Sequence, residues 1–278
     1  MKKYLAASLL FLIPLVFEAQ TLPQTGIDFF PKELTIHPFT ANQLEPKLGF
    51  VFRTNSNQLW LNIGNSMDLL RIGNESETFS FGADLFTWTL LTREENFHFP
   101  VDAVDYMFGI NFGYLRAAPH YSYGGRIRIS HISAHFVDGH FDGQLHQWKD
   151  GRNPRVYSRE FVETLGFYTF ADLRIYAGGT YLFHVDPAGA GKGILQTGFE
   201  YFLKNAVVKN LSPYIAADGT LNAEEGKRNF TLHLGVKLGE IKGRGLRLFY
   251  QYYNGYDISG EYYDAKREYS AIGINLDL

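Results

Sequence analysis

Residues 125–135 read Gly-Arg-Ile-Arg-Ile-Ser-His-Ile-Ser-Ala-His, which sets His131, Ser133 and His135 two apart. A serine hydroxyl becomes a nucleophile when a base within hydrogen-bond reach removes its proton and a third group orients that base. A β-strand turns successive side chains to opposite faces, so His131 and Ser133 share a face with Ile127 and Ile129, while Arg126 and Arg128 take the other. That face is apolar at one end and reactive at the other. If the strand crosses a membrane as part of a barrel, the odd-numbered face meets lipid. The His-x-Ser row then stands at one edge of the hydrocarbon, where its chemistry would be attack on an ester carbonyl.

The third group should come from the next strand, near Val156 to Thr169. Its apolar row, Tyr157, Phe161, Leu165 and Phe167, includes Glu163. A carboxylate on a lipid-facing row is costly without a partner, and His131 would be one. Ser158 and Glu160 fall on the opposite face by strict alternation, although one bulge would exchange the faces. The candidate catalytic set is therefore Ser133 and His131 with Glu163 or Glu160. His135, Asp138, Ser158 and Arg159 are candidates for holding substrate or a metal. His131 and His135 with Asp138, His140 and Asp142 could gather a divalent cation, but the spacing matches no specific site type, so no metal or other cofactor is assigned. His120 and Ser122 form a second His-x-Ser at a turn, so the motif alone is weak. The alternative for the row is polar residues hydrogen-bonded to loops or lipid headgroups at the membrane interface.

Composition limits what can position these residues. The chain has 278 residues, 16% aromatic, 28 glycines, no cysteine and a formal charge of -3, for which one large domain is the natural prior. Without cysteine there is no disulfide framework, thiolate metal site or cysteine nucleophile. The near-neutral balance gives no basic footprint for nucleic acid. At the N-terminus, Lys2 and Lys3 precede an apolar run from Tyr4 to Phe17 and then Glu18-Ala19-Gln20, the layout of a cleaved export signal. No later stretch offers eighteen consecutive apolar residues, so spanning by helices is not expected.

From Leu48 onward, two-residue alternation recurs. Val104, Tyr106, Phe108, Ile110, Phe112 and Tyr114 oppose Asp105, Met107, Gly109, Asn111 and Gly113, and later segments repeat the pattern down to Glu268–Leu278. The count is twelve strands, with turns that tend to alternate between short and long, as in outer-membrane barrels. The expected fold is an all-β transmembrane antiparallel up-and-down barrel: residues 1–19 a signal peptide, 20–46 a periplasmic lead-in, 47–278 the outer-membrane barrel. At this strand number a plugged or very narrow lumen is expected. The ending Gly273-Ile274-Asn275-Leu276-Asp277-Leu278 resembles the terminal signal read by barrel assembly machinery, which is then a partner together with outer-membrane lipid.

The His-x-Ser pair on a barrel's outer face is similar to that of the outer-membrane phospholipase A family, whose third member is asparagine, and of the lipid A 3-O-deacylases, whose third member is glutamate. The resemblance implies Ser133 as nucleophile, His131 as base, and Glu163 or Glu160 as orienting acid. Ala134-His135 stands here where the phospholipases have Asn-Gly after the serine. Over most of the mature chain, Asp105-Tyr106, Ser130 to His135 with Asp138, Tyr157 to Glu160, and Tyr176 to Gly179 resemble the bacterial family called domain of unknown function 1207. That likeness implies no activity, but it groups His131, Ser133, His135, Asp138, Ser158 and Glu160. Two functional expectations follow: a serine-dependent acyl hydrolase of outer-leaflet phospholipid or lipid A, or a non-enzymatic barrel acting as narrow pore or scaffold.

Overall fold

A computed structural model describes residues 25–188, 191–204 and 208–278. The expected signal peptide lies outside them. β1 is Gly26–Phe29, β2 Leu48–Arg53, β3 Gln58–Gly73, β4 Glu77–Thr92, β5 Val101–Ala117 and β6 Tyr121–Phe136. The two-residue strands β7, Phe141–Asp142, and β8, Gln147–Trp148, form a small hairpin in the loop that follows. β9 is Tyr157–Phe170, β10 Leu173–Asp186, β11 Gly193–Phe202, β12 Leu211–Asn222, β13 Arg228–Gly239, β14 Gly245–Tyr256 and β15 Lys266–Asp277. Each long strand pairs antiparallel with its neighbours, and β15 pairs with β2, so twelve strands close an all-β barrel as the alternation predicts. β1 is an extra strand beside the far end of β3.

Alternation decides the two faces. Ile127, Ile129, Phe108, Ile110, Phe112, Ile175, Leu248, Ile272 and Ile274 are all at least 40% exposed, an outer apolar surface suited to lipid. Their inward neighbours are polar: Arg53, Asp105, Arg126, Arg128, Arg174, Glu200, Lys237 and Arg247 are buried.

What fills the interior is the stretch between β1 and β2. The lead-in expected over residues 20–46 is described from residue 25, and there the chain enters the ring from Thr35 onward: Phe39 and Ala41 are buried, and Ile36 and Phe39 pack on Leu165, Phe167 and Tyr176. Glu45 accepts hydrogen bonds from both ends of Arg126 and, at 3.2 Å, from Arg128. Arg126 also donates to Glu163 at 2.9 Å and Arg128 to Asp84 at 2.9 Å. Nearer the short-turn mouth, Arg174 donates to the carbonyls of His37 and Pro38, and Glu200 accepts from the Thr40 amide at 2.9 Å. Buried charges are tolerable when paired, and this segment provides the pairing, while Arg126 Nε and Arg174 Nε stay without a hydrogen-bond partner among the described residues.

Loops cover the opposite mouth. Asp105 accepts from Ser259 Oγ at 2.8 Å and from the Gly260 amide at 2.7 Å. A Cβ at Gly260 would lie 2.0 Å from the Tyr157 ring, so this approach needs glycine. Glu261 accepts from the amides of Phe136 and Arg155, while Arg152 and Arg155 donate to Asp264. Partial burial acts to raise the Asp264 pKa, but hydrogen bonds from the two arginines outweigh it and hold the carboxyl below its usual range. A carboxyl lowered on folding stabilises the closed loops above its unfolded pKa of about 3.9 and loses that contribution as pH falls toward its folded value. Amides of residues 149–155 and 260–265 should therefore show smaller protection factors, each normalised to the unstructured-chain exchange rate at that pH, at pH 3 than at pH 7. Because the pair is largely exposed, the change should be modest.

Candidate active site on the outer face

β6 delivers His131 and Ser133 to the outer face, near the end that carries the longest loop. The register places Phe108 and Glu160 on either side of His131, and Tyr106 and Ser158 on either side of Ser133. His131 Nδ1 lies 2.6 Å from Glu160 Oε1, and its ring packs 5.0 Å from that of Phe108. Ser158 Oγ donates to the same carboxylate oxygen at 3.1 Å. The other oxygen, Oε2, takes His184 Nδ1 in a short contact. Glu160 thus joins residues of three adjacent strands, and the side chains of His131 and Glu160 are each under a third exposed.

His184 is the member that alternation misses. It belongs to the same row as the inward residues Arg174, Tyr176 and Leu182. A bulge between Leu182 and His184 inserts Phe183, so Phe183 and His184 are both exposed on the outside, and His184 pairs with Glu160. A bulge leaves no periodic mark in a single sequence, so nothing local signals the displacement.

The structure separates the two acids that the sequence offered. Glu163 is buried in the lumen against Arg126 and Arg128, away from His131, so its assignment as orienting acid is corrected in favour of Glu160. No bulge in β9 is needed. The apolar row Tyr157, Phe161, Leu165 and Phe167 faces inward, and strict alternation carries Ser158 and Glu160 out. The row is apolar because it packs on the inserted segment and the loop cap.

The other candidates lie apart from the cluster. Arg159 faces inward with its guanidinium over the Tyr157 ring. His135 is exposed beside Tyr106, and Asp138 is exposed in the loop, where it accepts from the Gly139 amide. Among the described residues, no three His, Asp or Glu side chains meet at metal-ligand spacing.

Chemically, Glu160 on Nδ1 orients the imidazole so that Nε2 remains to take a proton. Ser133 Oγ stands two residues along the same face and, among the described residues, has no hydrogen-bond partner. Unbound serine-histidine sites are often looser than the reacting arrangement.

A family described as protein of unknown function (DUF1207) matches residues 99–278. The chain belongs to this family. The matched region of the DUF1207 chain runs from the start of β5 to the C-terminus and includes every residue of the cluster. No curated protein matches the chain. Among solved structures, outer membrane phospholipase A from Escherichia coli superposes with a TM-score of 0.57 at 15% identity, covering 88% of this chain and 96% of that one. An active-site mutant of the same enzyme, with asparagine replaced by alanine, gives 0.56 at 15% identity over 87% and 93%. A Salmonella typhi outer membrane phospholipase dimer with bound calcium gives 0.55 at 13% identity over 88% and 94%. At such identities the likeness is one of fold, that of an outer-membrane barrel.

Proposed function

We propose that this barrel is a serine-dependent acyl hydrolase of outer-leaflet lipid. The observation that carries the proposal is the hydrogen bond from His131 to Glu160 on the lipid-facing surface, with Ser133 two residues along the same strand. The likeness in fold to an outer membrane phospholipase supports it. Ser133 Oγ attacks the ester carbonyl carbon as His131 Nε2 takes the hydroxyl proton, and Glu160 stabilises the imidazolium. Collapse of the tetrahedral intermediate breaks the bond to the alcohol, which leaves with that proton. Water, deprotonated by the same nitrogen, then cleaves the acyl-serine. A position at the hydrocarbon edge brings the ester to the nucleophile without lifting its chains from the bilayer.

Calcium is present in one structural relative. Calcium takes six to eight oxygen ligands, whereas both oxygens of Glu160 engage side chains of this protein. The cluster as built does not fit that ion, and no step is routed through it.

Acyl-chain release from labelled phospholipid and lipid A by the purified, refolded barrel tests the reading. Silence toward both substrates would overturn it and leave a barrel whose histidine row is structural. The two glutamates should separate cleanly. Glu160→Ala should reduce release by at least roughly 10²-fold with the barrel folded. Glu163→Ala should lower thermal stability while the folded fraction keeps its turnover, because Glu163 touches only the lumen network.

A further inference from the structure

The wall is incomplete beside β3. β2 pairs with β3 only from Leu59 to Asn62, and β1 resumes pairing only at Leu70, with the Phe30 amide donating to the Leu69 carbonyl. Between these points the chain has left the wall, because it turns away after β1 and lies in the lumen from Thr35 onward. A cavity of about 790 Å³ lies at this break. It is bordered by the outward-facing Asn65, Met67 and Leu276 and also by the inward-facing Ser66, Asp68 and Arg247. With lining residues of both faces beside this unpaired stretch of β3, the cavity reaches both sides of the wall at the break, and it also opens at the short-turn rim, where Ala171, Lys204 and Lys242 line it.

Its two sides differ chemically. Outside, Ile63, Met67, Ile274 and Leu276 are exposed and apolar. Inside are Lys47, Lys237 and Arg247 with the carboxylates Asp68, Glu200 and Asp277, of which Glu200 pairs with Arg174. Lys237 and Arg247 share the carboxylate of Asp277, each at 2.7 Å. Lys47 Nζ donates to the Asn42 carbonyl and lies 5.8 Å from the Phe86 ring centre, with no carboxylate in contact. At the short-turn rim the exposed Lys242 also lines the cavity. We propose that the cavity is a lateral binding site for an anionic phospholipid, with the acyl chains against the outer surface at Met67 and Leu276 and the headgroup phosphate turned through the wall toward Lys47. The site is separate from the His131 cluster and does not depend on hydrolysis.

Ether-linked phosphatidylglycerol and phosphatidylcholine, which an esterase cannot consume, provide the probes. The full barrel, refolded with an equal mixture of the two, is transferred to neutral detergent and its retained lipid counted by native mass spectrometry. One retained phosphatidylglycerol per barrel is expected, at about tenfold or greater preference, the worth of one charge-assisted contact. Lys47→Met should abolish the preference. Asn65→Trp, which fills the opening from outside and leaves every charge in place, should reduce retention of both lipids. Equal retention of the two lipids by the parent, or retention unchanged in both folded variants, would overturn the proposal. So would displacement by an extended peptide pairing with the free edge of β3 in place of lipid.

Discussion

Ser133→Ala is expected to lower acyl-chain release by at least about 10³-fold, as removal of a serine nucleophile does elsewhere. The fold should be indifferent to the change. Among the described residues Ser133 Oγ makes no hydrogen bond, and the side chain is half-buried on the outer surface, so alanine removes no contact that holds the barrel. Loss of activity with unchanged heat stability is therefore the signature of a nucleophile. His131→Ala should match it in magnitude. The double variant should be no worse than either single one, because groups acting as a unit are strongly non-additive. His184→Ala should do much less, since Glu160 keeps Oε1 on His131 when Oε2 is released. Release that persists in Ser133→Ala would remove the serine from its role, whatever the fate of the other variants.

Arg128→Met should be the most destabilising single change in the lumen, by about 3–5 kcal/mol, the usual penalty for removing one partner of a buried ion network. Arg128 is fully buried and contacts Asp84, Glu45 and Glu163. Its loss leaves those three carboxylates facing Arg126 alone. Methionine keeps most of the volume, so the effect reports charge and not a cavity. The inserted segment should loosen first, because Glu45 is its anchor on this network. Urea unfolding in lipid vesicles, read by the heat-sensitive mobility of the folded barrel, measures the loss. Asp84→Asn in the same chain should recover part of it by removing one uncompensated charge. If Arg128→Met is as stable as the parent, the network does not hold the segment.

Both expectations depend on which way each β9 glutamate points, and this is where sequence and tertiary structure divide. Strand number and direction were legible from two-residue alternation together with the alternation of short and long turns, because most strands have one face to solvate in lipid and another to line a narrow interior. The pattern put Arg126 and Arg128 inside and His131 with Ser133 outside, where the structure has them. Alternation also put Glu160 and Glu163 on opposite faces, but it carries no label for inside and outside. That label was taken from hydrophobicity, which fails wherever the lumen is itself apolar. Leu165 and Phe167 face inward because Phe39 and Ile36 come to meet them. Residues 31–47 have no period, since a segment wrapped on all sides by a barrel needs neither the helical nor the strand repeat. Their place could come only from closure of the ring around the Arg126–Glu45 pair. His184 depends on the same level of structure: one inserted residue turned it outward, and only the register of β10 on β9 brings it to Glu160. The sequence by itself determined the wall and the His-x-Ser face. Tertiary packing decided what fills the barrel, and through that which acid orients the histidine.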